Sequence, residues 1–390
     1  MSVFIVSAAR TPVGKFAGSL KSVKAPALGS VAIKAALERA QITDENKAAV
    51  DAVYFGNVLQ ANVGQLPARQ AAIGAGLLHE TEATTINKVC ASGLKSVALA
   101  TQSILTGDSE LVVAGGMESM SNAPFYFPRG AQYGHVTAAD AIIRDGLWDV
   151  YDDIHMGICA EMTVKNFSLT REQQDEYAQE SYRRAIAAQD SGVFAAEIAA
   201  VEIAGRGGKT VTVTEDEEPK SVNLARLPSL RPAFDKNGTV TAGNASPLND
   251  GASAIVLASS QAIGDYGLAK PLAKVLSYAD ASTKPVDFTI APSKSIPRAL
   301  ERAGVRVGDI ARWEINEAFA AVSIANMQIL GLDPAKVNVD GGAVALGHAI
   351  GSSGSRILVS LVYALKPGEL GVAAICNGGG GSTAVVVERL

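Results

Sequence analysis

Four residues have both a type and a setting that could do chemistry. Cys90 lies in Asn87-Lys88-Val89-Cys90-Ala91-Ser92-Gly93, between an apolar strand-like run and an apolar helix-like stretch. A thiol at a helix N-terminus meets free amides and the positive end of the helix dipole, and both favour the nucleophilic thiolate. The same residue type also serves as an inert core thiol. Cys376 opens Cys376-Asn377-Gly378-Gly379-Gly380-Gly381 at the carboxyl end of a strand-like run, where parallel sheets place their ligands. Its glycines admit close approach and leave amides free for an oxyanion or a phosphate. The loop lacks the Gly-Lys-Ser/Thr ending of a nucleotide loop. His348, in Leu346-Gly347-His348-Ala349-Ile350-Gly351, could act as a base or fill a structural role. Asn316 follows the strand-like Trp313-Glu314-Ile315 and could hold a water or cap a helix.

The elements that must position these residues come in two copies. Ala25-Pro26 with Ala36-Leu37-Glu38-Arg39-Ala40 recurs as Ala291-Pro292 with Ala299-Leu300-Glu301-Arg302-Ala303, a shift of 263 residues between Ala36 and Ala299. Ala91-Ser92-Gly93 recurs as Ser352-Ser353-Gly354, and the stretches they open end at Gly107 and Gly368, each pair 261 apart. Strand-like Leu111–Ala114 and Leu370–Ile375 follow. Alternating apolar strands and amphipathic helices indicate parallel βαβ units. Under the same shift Gly351 aligns with Cys90, so His348 sits beside the turn equivalent to the Cys90 turn. Two copies packed face to face would bring Cys90, His348 and Cys376 together.

Residues 120–247 have no counterpart and read as a large inserted lid, with Thr170-Arg171-Glu172-Gln173 as a capping box opening a helix to about Gln189. The organisation expected is therefore an N-terminal domain of 1–119 plus 248–267, an inserted loop domain of 120–247, and a C-terminal domain of 268–390.

Composition narrows the function. With 34 basic and 39 acidic residues the net charge is −5, a poor basis for binding nucleic acid or anionic membrane. No apolar run approaches the roughly 18 residues of a membrane span. The three cysteines, Cys90, Cys159 and Cys376, make no disulfide framework, and without a Cys-x-x-Cys pair a zinc site is not expected. Cys159 reads as core. The N-terminus has no secretory or transit signature, so the expected compartment is the cytosol, with the mitochondrion as alternative if a leader has been removed.

Taken together, Asn87–Gly93, Asn316–Phe319, Gly341–Gly354 and Cys376–Gly381, in this order, resemble the thiolase family over nearly the whole chain. The resemblance implies an α/β fold of duplicated βαβαβαββ domains in five α-β-α-β-α layers with an inserted loop domain, assembled as a homotetramer. It implies a Claisen condensation of two acetyl-CoA to acetoacetyl-CoA and CoA, and the reverse thiolysis, by a ping-pong route through acetyl-Cys90. That is the first step toward mevalonate and sterol precursors. In the implied roles Cys90 is the nucleophile and His348 activates it. Asn316 holds an enolate-stabilising water, Cys376 is the second acid/base, and Gly378 shares the oxyanion hole with Cys90. His155 and Met156 resemble the short-chain branch, where this pair narrows the acyl pocket; Leu147, Phe234, Ala242, Ser246, Ala318 and Phe319 fall at pocket or CoA positions. Lys220, Ser221, Val222, Asn223 and Arg226 stand at the adenine end, with Tyr182 nearby.

No organic cofactor is implied, CoA being substrate and product. A potassium site is implied at the Tyr182 hydroxyl and the carbonyls of Ala242, Gly243, Ala245 and Val344. Ala349 departs from the proline usual after the histidine, and Ser221 and Asn223 depart from the usual adenine-end residues. Among the rivals, a long-chain 3-ketoacyl-CoA thiolase conflicts with the Met156 setting. A carrier-protein synthase would pair its cysteine with two histidines, and a silent CoA-binding scaffold would not need all four chemical groups.

Overall fold

In the computed structural model, which describes residues 2–130 and 133–390, nine main strands and seven main helices carry the architecture. The strands are β1 (Val3–Arg10), β2 (Ala52–Gly56), β3 (Glu82–Ile86), β4 (Leu111–Ser119), β5 (Asn249–Ser259), β6 (Ala273–Ser282), β7 (Ile310–Ile315), β8 (Leu370–Asn377) and β9 (Gly381–Arg389). The helices are α1 (Ala25–Arg39), α2 (Ser92–Thr106), α3 (Met156–Asn166), α4 (Arg171–Asp190), α5 (Pro292–Ala303), α6 (Ala320–Leu330) and α7 (Ser353–Ala364).

Local sequence sets most of these boundaries. Pro26 sits in the first turn of α1, where its missing N–H is harmless, and Gly107 closes α2 in the left-handed conformation. The Thr170/Gln173 capping box starts α4. One boundary differs from expectation: α7 stops at Ala364, short of Gly368. Pro367 pushes the residue before it out of helical conformation, so the chain leaves the helix early.

The strand order is β7-β8-β9-β6-β1-β5-β4-β2-β3. Each half repeats one plan: β2, β3 and β4 run parallel, as do β7 and β8, and the remaining neighbours are antiparallel. The halves meet where Val3–Ile5 pairs with Ala273–Val275, so backbone hydrogen bonds make one continuous sheet of the two copies.

That sheet folds around α2 and α7, whose apolar faces (Leu94, Val97, Ile357, Leu358, Leu361) fill the central core between both halves. The outer face of the first half packs on α1, and that of the second on α5. The result is five layers, α-β-α-β-α. Both middle helices are buried nearly all round, which is why they read as apolar stretches rather than as amphipathic ones.

Residues 120–247 form α3, α4, short hairpins and 3₁₀ turns. This insertion is tied to β1 by a buried ion cluster. Arg10, 1% exposed, donates from Nε to Glu197 (2.6 Å) and from both terminal nitrogens to Asp216 (2.7 and 2.9 Å). Among the described residues no helix is long and apolar enough to cross a membrane. Replacing Arg10 by Met leaves two buried carboxylates without their cation. The expected loss is about 3–5 kcal/mol of stability, read from urea unfolding monitored by circular dichroism.

Candidate active site

Cys90 ends the turn between β3 and α2, immediately before the helix cap residue Ala91. It is 8% exposed and lines a cavity of about 340 Å³ with His348. Burial pushes its thiol up to about 11, while the backbone amides of Gly378 and of Cys90 itself pull it down. Position at a helix start therefore does not make a resting thiolate, as the sequence suggests it would. Desolvation outweighs the amides, and the sulfur rests as a neutral thiol. Neither of those amides has another backbone acceptor among the described residues, so both are available to an oxyanion.

His348 comes from the turn before α7, its amide held by Asn249 Oδ1 of β5 at 2.8 Å. Its Nδ1 lies 2.7 Å from Ser353 Oγ, and that hydroxyl donates its one proton to the Ala349 carbonyl at 2.9 Å. Ser353 must then accept from Nδ1–H, which leaves Nε2 unprotonated. Nε2 is buried and has no partner among the described residues. Burial, with Arg356 nearby, pushes His348 down to about 3, so the imidazole stays neutral at physiological pH. Cys90 and His348 put a neutral thiol and a free base on one cavity.

Cys376, at the end of β8, is fully buried and does not line the cavity itself. It shares an apolar cluster with Met156, Ala318 and Phe319, and it lies close enough to Cys90 that charge on that sulfur raises its own value, after the larger effect of burial. Asn316 follows β7 as expected, but it caps no helix, since α6 begins four residues later at Ala320. Its side chain is 1% exposed, and both amide atoms lack partners among the described residues. An orphaned buried amide costs about 1–3 kcal/mol, and an incoming water or ligand offsets that cost.

Leu147, His155, Met156, Phe234, Ala242, Ala245, Ser246, Ala318 and Phe319 all line the cavity. Four aromatic rings form one wall: His155 stacks on Phe234 at 4.8 Å, and Phe319 meets Phe234 and Phe288 edge-on at 6.1 and 6.5 Å. Gly378 and Met156 line a second cavity next door.

Lys220, Ser221, Val222, Asn223 and Arg226 are not among the cavity-lining residues. Lys220 pairs with Asp190 (3.0 Å) and Glu215 (3.5 Å) at the surface. Ser221 bonds Glu218, and Asn223 caps a short 3₁₀ helix that carries the exposed Arg226. Val222 packs against the cluster that holds Tyr182 and Val344. The Tyr182 hydroxyl, and the carbonyls of Ala242, Gly243, Ala245 and Val344, take part in none of the hydrogen bonds found among the described residues.

Ser353, Met120, Leu248 and Ile350 were not legible as site residues, yet the first orients His348 and the others line the cavity. The duplication held a signal for Ser353. It aligns with Ser92, whose hydroxyl donates to the Val89 carbonyl, as Ser353 donates to that of Ala349.

The thiolase N-terminal domain family matches residues 3–261 and the thiolase C-terminal domain family matches 269–389. The chain belongs to the thiolase family. It is 59% identical to an acetyl-CoA acetyltransferase of Yarrowia lipolytica, over all of this chain and 97% of that one. It is 55% identical to the mitochondrial acetyl-CoA acetyltransferase A of Xenopus laevis, over all of this chain and 92% of that one. The crystal structure of the Acat5 thiolase from Ascaris suum in complex with coenzyme A superposes with a TM-score of 0.95, at 48% identity and full coverage of both chains.

The state of His348 has a consequence for stability. In the unfolded chain an imidazole takes a proton below about pH 6.5, whereas in the fold it stays neutral down to about 3. The unfolded state then binds more protons, so stability falls as pH drops through 6.5. The His348→Asn variant, which takes no proton, is expected to show a shallower loss of Tm between pH 7 and pH 4.5 than the parent.

Proposed function

We propose that the protein is an acetyl-CoA C-acetyltransferase. It condenses two molecules of acetyl-CoA to acetoacetyl-CoA and CoA, and catalyses the reverse thiolysis. The observation that carries this reading is the unpartnered His348 Nε2 on the Cys90 cavity, with Cys376 close behind. The relatives named above support the choice of acyl group.

In the proposed route His348 Nε2 takes the Cys90 proton as Sγ attacks the thioester carbonyl. The oxyanion accepts from the amides of Cys90 and Gly378. The intermediate collapses with CoA as leaving group, which takes the Cys376 proton and leaves a Cys376 thiolate beside S-acetyl-Cys90. That thiolate removes the α-proton of a second acetyl-CoA. The resulting enolate accepts from the protonated Nε2 and from a water on Asn316. Its carbon attacks the acetyl carbonyl, Cys90 leaves, and His348 returns its proton to Cys90. Each charge forms beside an opposite partial charge inside a buried site, where preorganised donors are most effective. Neutral groups at rest keep the empty site from burying ions.

Met156 and the aromatic wall favour a short acyl chain. Cleavage of a C4 3-ketoacyl-CoA should exceed that of a C16 substrate, and Met156→Ala should narrow the gap. Faster C16 cleavage by the parent would favour the degradative long-chain alternative.

The oxygens at Tyr182, Ala242, Gly243, Ala245 and Val344 suit a hard monovalent cation, and we propose potassium there. Held at those residues, it would brace the loops that carry Ala242 and Val344. A homotetramer is supported by apolar side chains left open on the insertion, with Phe125, Phe127 and Tyr151 63%, 66% and 70% exposed. Mitochondrial relatives favour that compartment over the cytosol. Supply of mevalonate and sterol precursors is the proposed role.

The Cys90→Ser variant should lose turnover by at least about a thousandfold, since the nucleophile acts as part of a unit. Cys376→Ser should still form acetyl-Cys90, seen by intact-mass spectrometry, but condense slowly. Acetyl-enzyme on Cys90→Ser with condensation intact would reverse the assignment. Equal rates in sodium and potassium would remove the cation.

A further inference from the structure

The turn that carries Cys90 is held in a conformation its residues would not adopt alone. Val89 has φ +48°, in the left-handed region that a β-branched residue avoids. Local bonds restrain part of it. The Val89 amide donates to Asn87 Oδ1 (3.0 Å), and Ser92 Oγ donates to the Val89 carbonyl (2.6 Å) while accepting from the Lys88 amide (2.8 Å). None of these bonds reaches the second half of the molecule.

The Lys88 side chain does. Its Nζ donates to Asp280 Oδ1 at 2.5 Å, to Thr383 Oγ1 at 2.9 Å and to the Ser382 carbonyl at 3.1 Å. Asp280 belongs to β6, and Ser382 and Thr383 to β9. Ser382 is the ladder partner of Cys376, and Gly378 lies in the turn between these two strands. One ammonium group thus ties the turn before Cys90 to the hairpin that carries the other sulfur and the other amide.

The rest of the cluster is satisfied internally. Thr383 Oγ1 donates to Asp280 Oδ1 (2.7 Å), and Lys95 of α2 occupies Oδ2 (2.6 Å). Burial lowers Lys88 and works against charge on Asp280, yet hydrogen bonds from Lys88, Lys95 and Thr383 hold that carboxyl at about 2. All three ammonium protons have acceptors, so the group is fixed in direction as well as in charge. Lys88 lines neither cavity beside Cys90.

We infer that Lys88 is a positioning residue, whose three-way clamp on Asp280, Ser382 and Thr383 sets the Cys90 turn against the Gly378 loop so that two amides from different halves meet one oxyanion. The inference rests on the acyl-transfer reading above. It acts through the turn and not through contact with substrate.

The test compares Lys88→Met, Thr383→Val and Lys95→Met with the parent in acetyl-CoA condensation. Rates are normalised to the Cys90 that mass spectrometry shows can be acetylated. Lys88→Met should lower kcat about 10- to 100-fold, the effect of shifting reacting groups by about an ångström, with KM within about threefold. Thr383→Val removes one of three acceptors and should lower kcat in the same direction by less; it decides the matter if Lys88→Met does not fold. Lys95→Met loses the same carboxylate without a tie to β9 and should fall less than about threefold. The clamp is overturned if Lys88→Met or Thr383→Val keeps the parental kcat. It is equally overturned if only KM or the acetylatable fraction changes, or if Lys95→Met loses as much as Lys88→Met. The parent's own condensation rate tests the acyl-transfer reading separately.

Discussion

The site exists because two helices meet start to start at backbone contact. A Cβ on Gly93 would lie 2.8 Å from the Ser355 amide, and one on Gly354 would lie 2.5 Å from the Leu94 amide. Only side-chain-free residues at these two places let α2 and α7 nest so closely. The turns preceding both helices then open onto one volume, and one supplies the sulfur while the other supplies the imidazole. Two positive helix ends facing one space are unfavourable when empty and favourable around an anion. Glu118 sits at that joint. Its buried carboxyl accepts from Asn57 Nδ2 and from the amides of Val58, Leu59 and Gly351, so it ties the second turn to the first half of the sheet. Burial raises it to about 7 against the pull of the Val58, Leu59 and Gly351 amides.

Burial also sets the resting charge state. It raises both thiols and lowers the imidazole, in each case the direction that disfavours an ion. Amide donors and helix ends act the other way but are weaker until a ligand arrives. Among the described residues, His348 Nε2 and the buried Asn316 amide have no hydrogen-bond partner. Such orphans oppose folding slightly, and an incoming ligand or water can satisfy them. Stability is sacrificed where chemistry needs open hydrogen-bonding sites.

The insertion shows how differently neighbouring segments depend on context. The start of α4 is written locally: Thr170 and Gln173 satisfy two orphan donors wherever the chain goes. The cavity wall is not. His155, Phe234 and Phe319 are distant in sequence, and nothing local to any of them announces a stack. Likewise the surface placement of Lys220, between Asp190 and Glu215, depends on how the loop folds back on α4.

The duplicated halves, the strand and helix alternation and the place of Cys90, His348, Asn316 and Cys376 at turn and strand ends were determined by the sequence alone, because periodicity, glycine and proline act over a few residues. Three things were decided only by the tertiary structure. One is the protonation state of Cys90, where desolvation overrode the helix end. Another is the tautomer of His348, which Ser353 selects through its bond to Ala349. The last is the joining of both halves through Val3–Ile5 and Ala273–Val275 into one sheet. Each depends on atoms far apart in the chain sharing a space without water, and electrostatic balance there is set by everything within several ångströms, which no local pattern encodes.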